Sequence, residues 1–444
     1  MWTALVIALG SAIAQAADWN VLMKEAGKLQ DQGAYPEAER KFQDALAEAE
    51  KFGPTDRRLG LTLNNLGALS RAQGNYALAE AQSYRALEIW SRTGGPVNTA
   101  LNNLAVLFVE QGRYAEAAAN YRKAISIVTS KNGASAPALA PMLTNLGTLS
   151  FYQGRYAEAE SLYRRSLAIE EKAGSNTSST LNNLAVLYRA QALYSDAERL
   201  CLRALSLREK RFGPRHPEIA KILTNLADLY TRQRHHAKAE GVLRRALQIW
   251  EESVGPDHPD VASSLGSLAI LYAQQKNFDA ALPLQKRALA IRRQAFGTAH
   301  PDVADSLSAL SSLQRAVKNY AEAESLATEA LAIAEAGLGP DHPMVAKILN
   351  NLAAAYGEQA QFVRAEPLYR RAIAIQEKAL GRDHPDLAGS LLDYAILLKK
   401  TGRKKQGAEM EAHARSILSH NPGDRPARLT VDVRELEPKS FLPR

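Results

Sequence analysis

Apolar positions along the chain follow a helical spacing that stops and restarts many times. Leu143, Leu146 and Leu149 recur every third residue, and a second amphipathic stretch continues through Ala159 and Tyr163. Such spacing places apolar side chains on one face of an α-helix. A short polar turn separates the two stretches, and its glycine can take a positive φ that ends the first helix; this glycine recurs as Gly74, Gly112 and Gly154. The pattern predicts helix–turn–helix pairs, and no strand pattern competes before residue 428.

The helix pairs recur with a nearly fixed period. A leucine within the phrase Leu-Asn-Asn-Leu-Ala-Val-Leu-Tyr marks repeats two to nine, at Leu66, Leu104, Leu146, Leu184, Leu226, Leu268, Leu310 and Leu352. A weaker copy at Glu25 marks repeat one, and Tyr394 marks repeat ten. The marks from Leu66 onward are 38 or 42 residues apart, which indicates one supersecondary unit stacked on itself. We expect an all-α fold, an α-α superhelix (solenoid) of about ten helix-turn-helix units, over residues 18–420.

The residues of each unit resemble the tetratricopeptide repeat. In repeat four the resemblance rests on Asn145, Leu146, Gly147, Tyr156, Ala159, Glu160, Tyr163 and Leu167. The 42-residue units add a Gly-Pro-Asp-His-Pro connector, as at Gly255 and Gly339, which resembles the kinesin-light-chain type of the family. The resemblance implies a scaffold for protein partners, and it implies that asparagines on the first helices bind a cargo peptide. The family serves many partners, so the resemblance names none.

Asparagine recurs inside the first helices, directly before the marker leucine. The set is Asn65, Asn103, Asn145, Asn183, Asn225 and Asn351. Inside a helix asparagine costs about 0.5 kcal/mol against alanine, so six copies need a compensating interaction. A side-chain amide can pair with the backbone of an extended peptide in the concave groove, and it can also bond between neighbouring helices. The sequence leaves both interpretations open.

Arginines and aromatic residues follow the asparagines along the same helices. They are Arg71, Arg189, Arg232 and Arg315, with Phe151 and Tyr152 in repeat four. Arginine forks bind carboxylates, and aromatic side chains are common anchors of interfaces. We therefore predict a protein or peptide ligand that is acidic and carries one or two apolar anchors. Ser267, Ala309 and Asp393 replace the asparagine in repeats seven, eight and ten, so binding should centre on repeats two to six.

The chain carries no recognisable catalytic or cofactor motif, whether phosphate loop, HExxH or nucleophile elbow. Its second-helix acids Glu80, Glu160, Glu198, Glu240 and Glu324 recur with the repeat, which indicates a structural role. We expect no enzymatic activity, no cofactor and no metal. The alternative is an envelope enzyme or carbohydrate-binding protein whose site lies in the groove.

Five histidines, each followed by proline, stand one per repeat at His216, His258, His300, His342 and His384. Loops of stacked helices lie on the order of 10 Å apart, whereas zinc needs several nitrogens at about 2.0 Å. We expect the prolines to occupy the first helical position, where a missing N–H costs nothing. The residues before them then cap the helix or order the loop.

Charge and cysteine content narrow the class of protein. Lys and Arg number 55 against 47 Asp and Glu, and this formal charge of +8 is too mild for a nucleic-acid-binding protein. The single cysteine, Cys201, excludes an internal disulfide. We expect its thiol to be buried where other repeats place Tyr84, Tyr121 and Tyr163.

The two ends of the chain depart from the repeat. Residues 4–14 are apolar and uncharged and precede Ala14-Gln15-Ala16, a pattern typical of a signal peptide over residues 1–17 and too short to span a bilayer. No Lys or Arg precedes the apolar run, so a buried first helix or a start assigned too far downstream stays open. We expect a periplasmic or secreted protein without an integral membrane segment, or the same scaffold in the cytoplasm if the segment is retained. Residues 421–444 should be flexible or docked in the groove; the oligomeric state is left open.

Overall fold

A computed structural model describes residues 18–420 of the chain, which form twenty helices and no strand. The expected signal segment and the C-terminal tail lie outside the described residues. Consecutive helices pack in pairs, each pair being one repeat. The predicted all-α solenoid of ten helix pairs is therefore confirmed.

The described residues divide into two compact units. The first comprises residues 18–149 and 168–173 and contains α1 (18–31), α2 (Tyr35–Glu50), α3 (Arg57–Ala72), α4 (Tyr76–Thr93), α5 (Val97–Glu110) and α6 (Tyr114–Asn132). Two helices have residues in both units, α7 (Leu139–Tyr152) and α8 (Tyr156–Lys172).

The second unit comprises residues 150–167 and 174–420. It contains α9 (Ser178–Ala190), α10 (Tyr194–Phe212), α11 (Pro217–Arg232), α12 (His236–Val254), α13 (Pro259–Gln274), α14 (Phe278–Phe296), α15 (Pro301–Ala316), α16 (Tyr320–Leu338), α17 (Pro343–Glu358), α18 (Phe362–Leu380), α19 (Pro385–Lys400) and α20 (Lys404–His420). The first helices of successive repeats touch one another, so α11 contacts both α9 and α13. The first helices therefore form one face of the unit.

Histidine caps five of the first helices, as predicted. In each case the helix begins at the proline, and histidine Nδ1 accepts a hydrogen bond from the backbone N–H two residues on. The donors are Glu218, Asp260, Asp302, Met344 and Asp386, at 3.0–3.2 Å. Several rings also stack on an aromatic residue of the preceding helix, as His300 does on Phe296 with ring centroids 4.2 Å apart. The cap satisfies a backbone donor that the helix itself cannot pair.

The second-helix acids have the predicted structural role. Glu160 accepts a hydrogen bond from the Tyr188 hydroxyl of the next repeat at 2.8 Å, and Glu240 accepts one from Tyr272 at the same distance. Glu324 accepts one from Tyr356 at 2.7 Å. Charge-assisted bonds of this kind are about twice as strong as neutral ones. These three bonds join repeat four to five, six to seven, and eight to nine.

Cys201 is buried at 2% exposure, as predicted, and burial raises the pKa of its thiol to about 12. Tyr121 and Tyr163 are equally buried at the equivalent position. The assignment of Tyr84 to that position was wrong, because Tyr84 is 46% exposed and Ser83 fills the core site. Tyr121, Tyr163 and Cys201 each lie 17 residues after the marker leucine, whereas Tyr84 lies 18 residues after Leu66, so Ser83 is the equivalent residue. The small serine packs against Gly67 there.

Candidate functional site

Four of the six predicted asparagines, Asn103, Asn145, Asn225 and Asn351, donate hydrogen bonds to the preceding repeat, whereas Asn65 accepts one from Asn64 in its own helix and Asn183 has no such contact within the described part of the chain. Asn103 Nδ2 donates to Asn64 Oδ1 at 2.9 Å, and Asn145 Nδ2 donates to Asn102 Oδ1 at 3.0 Å. These two contacts lie in the first unit. In each, the asparagine before the marker leucine reaches the residue two before the marker in the preceding repeat. We call this series of contacts the amide ladder.

The amide ladder recurs in the second unit with one change of residue type. Asn225 Nδ2 donates to Asn182 Oδ1 at 3.0 Å, and Asn351 Nδ2 donates to Ser308 Oγ at 3.0 Å. The serine shows that a single hydroxyl acceptor suffices for a ladder contact. Repeat seven interrupts the series, because Ser267 there donates to Ser263 within its own helix at 3.1 Å.

Each ladder contact between two asparagines uses one donor of one amide and one acceptor of the other. A side-chain amide has two N–H groups and an oxygen with two lone pairs. In the Asn225–Asn182 contact, the second N–H of Asn225 and both N–H groups of Asn182 are not used by it. Both side chains are half-buried, as are Asn65, Asn103, Asn145 and Asn183, whereas Asn351 is buried. The ladder thus fixes the orientation of each amide while leaving donors at a partly exposed face.

The arginines at the ends of these helices pair with acids of the next repeat. Arg71 pairs with Glu110 in the first unit, and Arg315 pairs with Glu358 in the second. Asp228 pairs with Arg189 and also lies 3.8 Å from Arg232. One carboxylate therefore lies between two guanidinium groups, Arg189 and Arg232, in neighbouring repeats.

The two aromatic residues of repeat four have different surroundings. Phe151 packs against the core cluster of Ala159 and Tyr163 and stacks on Tyr156, with ring centroids 5.7 Å apart. Tyr152 is 47% exposed. Only Tyr152 of the pair thus presents a large surface to solvent.

Sequence reasoning missed several residues of this face. Asp228 and Glu110 accept the arginine contacts, but they occupy different positions in their repeats and give no periodic signal. Ser308 continues the amide ladder without an amide. Ile270 is 38% exposed, at the place where other repeats carry Val106 and Val186. The sequence did contain a signal for Ile270, because it is a larger apolar residue than Val106 and Val186 at the same position.

Within residues 18–420 no three His, Cys, Asp or Glu side chains lie close enough together to bind a metal ion. None of the described helices is both long and apolar enough to cross a membrane.

Comparison with protein-family models settles the family. The tetratricopeptide repeat model matches eight overlapping segments, at residues 21–92, 58–130, 96–172, 176–252, 236–294, 271–336, 302–378 and 344–419. The chain belongs to the tetratricopeptide repeat family. A search of curated proteins returned no match.

Solved structures similar to this tetratricopeptide repeat chain include kinesin-light-chain relatives. BtubC (BKLC) from P. vanneervenii is 24% identical over 54% of this chain and 93% of its own, with a TM-score of 0.41. A kinesin light chain candidate from Podosopora anserina, with nearly identical TPR-like repeats, is 25% identical over 46% of this chain and 97% of its own, with a TM-score of 0.38. A Rap protein complexed with competence and sporulation factor is 13% identical over 91% of this chain and 99% of its own, with a TM-score of 0.56. The last match shows a shared fold.

Proposed function

We propose that this tetratricopeptide repeat protein is a non-enzymatic scaffold that binds an extended segment of a partner protein along its first-helix faces. The observation that carries the proposal is the amide ladder. The Asn145–Asn102 and Asn225–Asn182 contacts each orient two half-buried amides and leave N–H groups for a ligand. Backbone pairing by such amides requires no particular side chain of the ligand. The two roles considered for the asparagines are therefore compatible.

A protein of the same fold supports a binding role. The Rap protein whose fold matches most of this chain was solved in a complex with competence and sporulation factor. Its sequence identity of 13% transfers no residue role, so the proposal rests on the contacts of this chain.

We propose further that the ligand is acidic at the ends of the first helices. The position of Asp228 between Arg189 and Arg232 supports this proposal, because a carboxylate of the chain itself already binds there. Arginine carries five donors, so a ligand carboxylate can add to the pair or displace Asp228. Exposed Tyr152 and Ile270 are the candidate apolar anchors.

Peptide binding can be tested with a random peptide library displayed on phage and selected on the full chain. Fluorescence anisotropy then gives the affinity of selected peptides for variants. Asn182→Ser keeps an acceptor for Asn225, as Ser308 does for Asn351, but removes the amide donors. Asn182→Ala removes the acceptor for Asn225 as well as the amide donors. Loss of the bonds to one amide should weaken binding by about tenfold in Asn182→Ser.

Unfolding in urea separates ligand binding from repeat stacking in this experiment. Asn182→Ser should unfold as the parent does, whereas Asn182→Ala should be less stable by about 1 kcal/mol. A library that yields no binding peptide, or selected peptides that bind Asn182→Ser as tightly as the parent, would contradict the proposal.

Asp228→Asn tests the acidic preference. The change removes the carboxylate that occupies Arg189 and Arg232 and should tighten binding of an acidic peptide by about tenfold. A neutral peptide of the same length serves as the control ligand and should gain little. Equal gains for both peptides would show that the two arginines do not select carboxylates.

We also propose that the protein acts in the periplasm or outside the cell, on the strength of the apolar segment of residues 4–14 and the Ala14-Gln15-Ala16 site. Sequencing the N-terminus of the mature protein tests this. A first residue of Ala17 or Asp18 is expected, and an intact Met1 would place the scaffold in the cytoplasm.

A further inference from the structure

One hydrogen bond in the second unit joins residues 232 positions apart in the sequence. His384 Nε2 lies 3.1 Å from the carbonyl oxygen of Tyr152. Tyr152 ends α7 in repeat four, and His384 precedes α19 in repeat ten. The amide ladder and the tyrosine contacts span one repeat, whereas this bond spans six.

The two hydrogen-bond partners of the His384 ring select its neutral tautomer. Nδ1 accepts a hydrogen bond from the Asp386 backbone N–H at 3.1 Å, so it carries no proton. In a neutral imidazole the proton then lies on Nε2, which donates to the Tyr152 carbonyl. Both ring nitrogens are thus used, one to cap α19 and one to bind the turn of repeat four. The side chain is 8% exposed.

Gly154 supports the same contact independently. It has φ +68, and a Cβ at this position would lie 3.1 Å from His384 Cδ2 and 3.6 Å from Pro385 Cδ. The equivalent turn residues of repeats five to nine have similar φ values without being glycine; they are Ala192, Arg234, Lys276, Lys318 and Ala360. A side chain is therefore tolerated by the backbone of these turns. At Gly154 an added Cβ would press on the His384 ring, which would have to move to accommodate it.

The contact joins opposite edges of the repeats. Tyr152 and Gly154 lie where a first helix ends, whereas His384 lies where a first helix begins. The second unit therefore completes one superhelical turn in about six repeats, and the next turn stacks on the previous one.

The number of repeats per turn sets the width of the interior. Six first helices about 10 Å apart have a circumference of about 60 Å, or about 19 Å across between helix axes. Helices of about 11 Å diameter then leave a bore of about 8 Å. A single extended chain, whose backbone is about 5 Å wide, fits this bore if its side chains insert between the first helices, and a folded domain does not.

We propose that the His384–Tyr152 contact closes the wall of the second unit, so that its inner face takes one extended chain that enters along the superhelix axis. The entry route rests on the proposed function, whereas the closure itself does not. The closed wall excludes a folded partner. It also excludes a segment that carries a folded domain at each end, because neither end can then enter along the superhelix axis. Breaking the contact opens a lateral route.

The closure can be tested in the full chain without a ligand. Nitroxide labels on Arg155→Cys and Arg382→Cys, both exposed positions near the contact, report its distance by double electron–electron resonance. Cys201 is buried and its thiol pKa is about 12, so it should not be labelled. The parent should give one narrow distance distribution, and His384→Asn and Gly154→Ala should give a broader one at longer distance. Asparagine retains the helix cap but cannot reach the Tyr152 carbonyl.

Each test variant has a matched control. His258→Asn changes an equivalent cap that makes no such contact, and Gly402→Ala changes an equivalent turn glycine with no atom within 4 Å of the added Cβ. Both controls should keep the narrow distribution of the parent. Unchanged distances in His384→Asn and Gly154→Ala, or equal broadening in the controls, would overturn the closure.

The entry route is tested with a peptide selected as described above, fused to a small folded domain at one end or at both ends. The doubly fused peptide should associate with the parent at least about tenfold more slowly than the singly fused one, and His384→Asn should remove the difference. Equal association rates with the parent would overturn axial entry while peptide binding stands. If no peptide binds, the proposed function and the entry route both fail, and the resonance measurement still decides the closure.

Discussion

Protonation of His258 should weaken the start of α13. Its Nδ1 accepts a hydrogen bond from the Asp260 N–H at 3.2 Å, and its ring stacks on Trp250 at 6.4 Å between centroids. A proton on Nδ1 would point at that N–H and abolish the cap. Burial lowers the pKa of His258; Lys221 also lowers it, and Asp260 acts in the opposite direction.

The sign of the pH dependence follows from the lowered pKa. Between the folded pKa and the ordinary value of about 6.5, the unfolded chain binds a proton that the folded chain does not. The stabilisation that the His258 cap gives to this helix end is therefore fully present above about pH 6.5, and it is lost as the pH falls through the folded pKa. A lost N-terminal cap costs about 1 kcal/mol, which is about a fivefold increase in local opening.

Amide hydrogen exchange of the first turn of α13, followed by mass spectrometry between about pH 7.5 and about pH 5, measures this opening. His258→Asn is the reference, because asparagine caps without titrating and corrects for the intrinsic pH dependence of exchange. At about pH 5 the first turn of α13 should open about fivefold more in the parent than in the reference, and at about pH 7.5 it should open equally in both. The same pH dependence in both proteins would show that protonation of His258 does not open this helix end.

Three further predictions concern stability and reactivity. Lys318→Gly should raise the free energy of unfolding by about 0.5–1 kcal/mol, because glycine adopts the φ of +63 without strain. The control Lys286→Gly, inside α14, should lower it by about 1 kcal/mol. Urea midpoints of the two variants that shift in the same direction would contradict this prediction. Cys201, whose thiol pKa is raised to about 12, should resist iodoacetamide at neutral pH until urea unfolds the chain, and equal native and unfolded rates would show that it is accessible. Tyr356→Phe removes the 2.7 Å hydrogen bond to Glu324 and should cost about 1 kcal/mol in a urea titration, and an unchanged midpoint would mean that this contact does not stabilise the stacking of repeats eight and nine.

The local features of this fold could be predicted because they depend on neighbours within one repeat. The His-Pro connectors predict where helices begin, and α11 does begin at Pro217 and α13 at Pro259. The period predicts the number of helix pairs. Both follow from steric and hydrogen-bonding rules that act over a few residues.

The contacts of the candidate site could not be predicted in the same way. Arg71 meets an acid 39 residues later and Arg315 one 43 residues later, so the pairs depend on how neighbouring helices are offset. His384 meets Tyr152 only because small rotations between repeats add up over a whole superhelical turn. A single sequence without its stacking geometry does not determine that sum.

The amide ladder links partner binding to the stacking of repeats. Asn182 and Asn225 are positioned by each other, so a ligand that binds both amides binds the stacked arrangement and not two separate helices. A ligand that binds only the stacked state stabilises it in proportion to its affinity and concentration. Substitutions that break a ladder contact should therefore lower stability and affinity together, whereas those that keep the contact, such as Asn182→Ser, should lower affinity alone. This difference identifies which hydrogen bonds of each asparagine serve the ligand and which serve the fold.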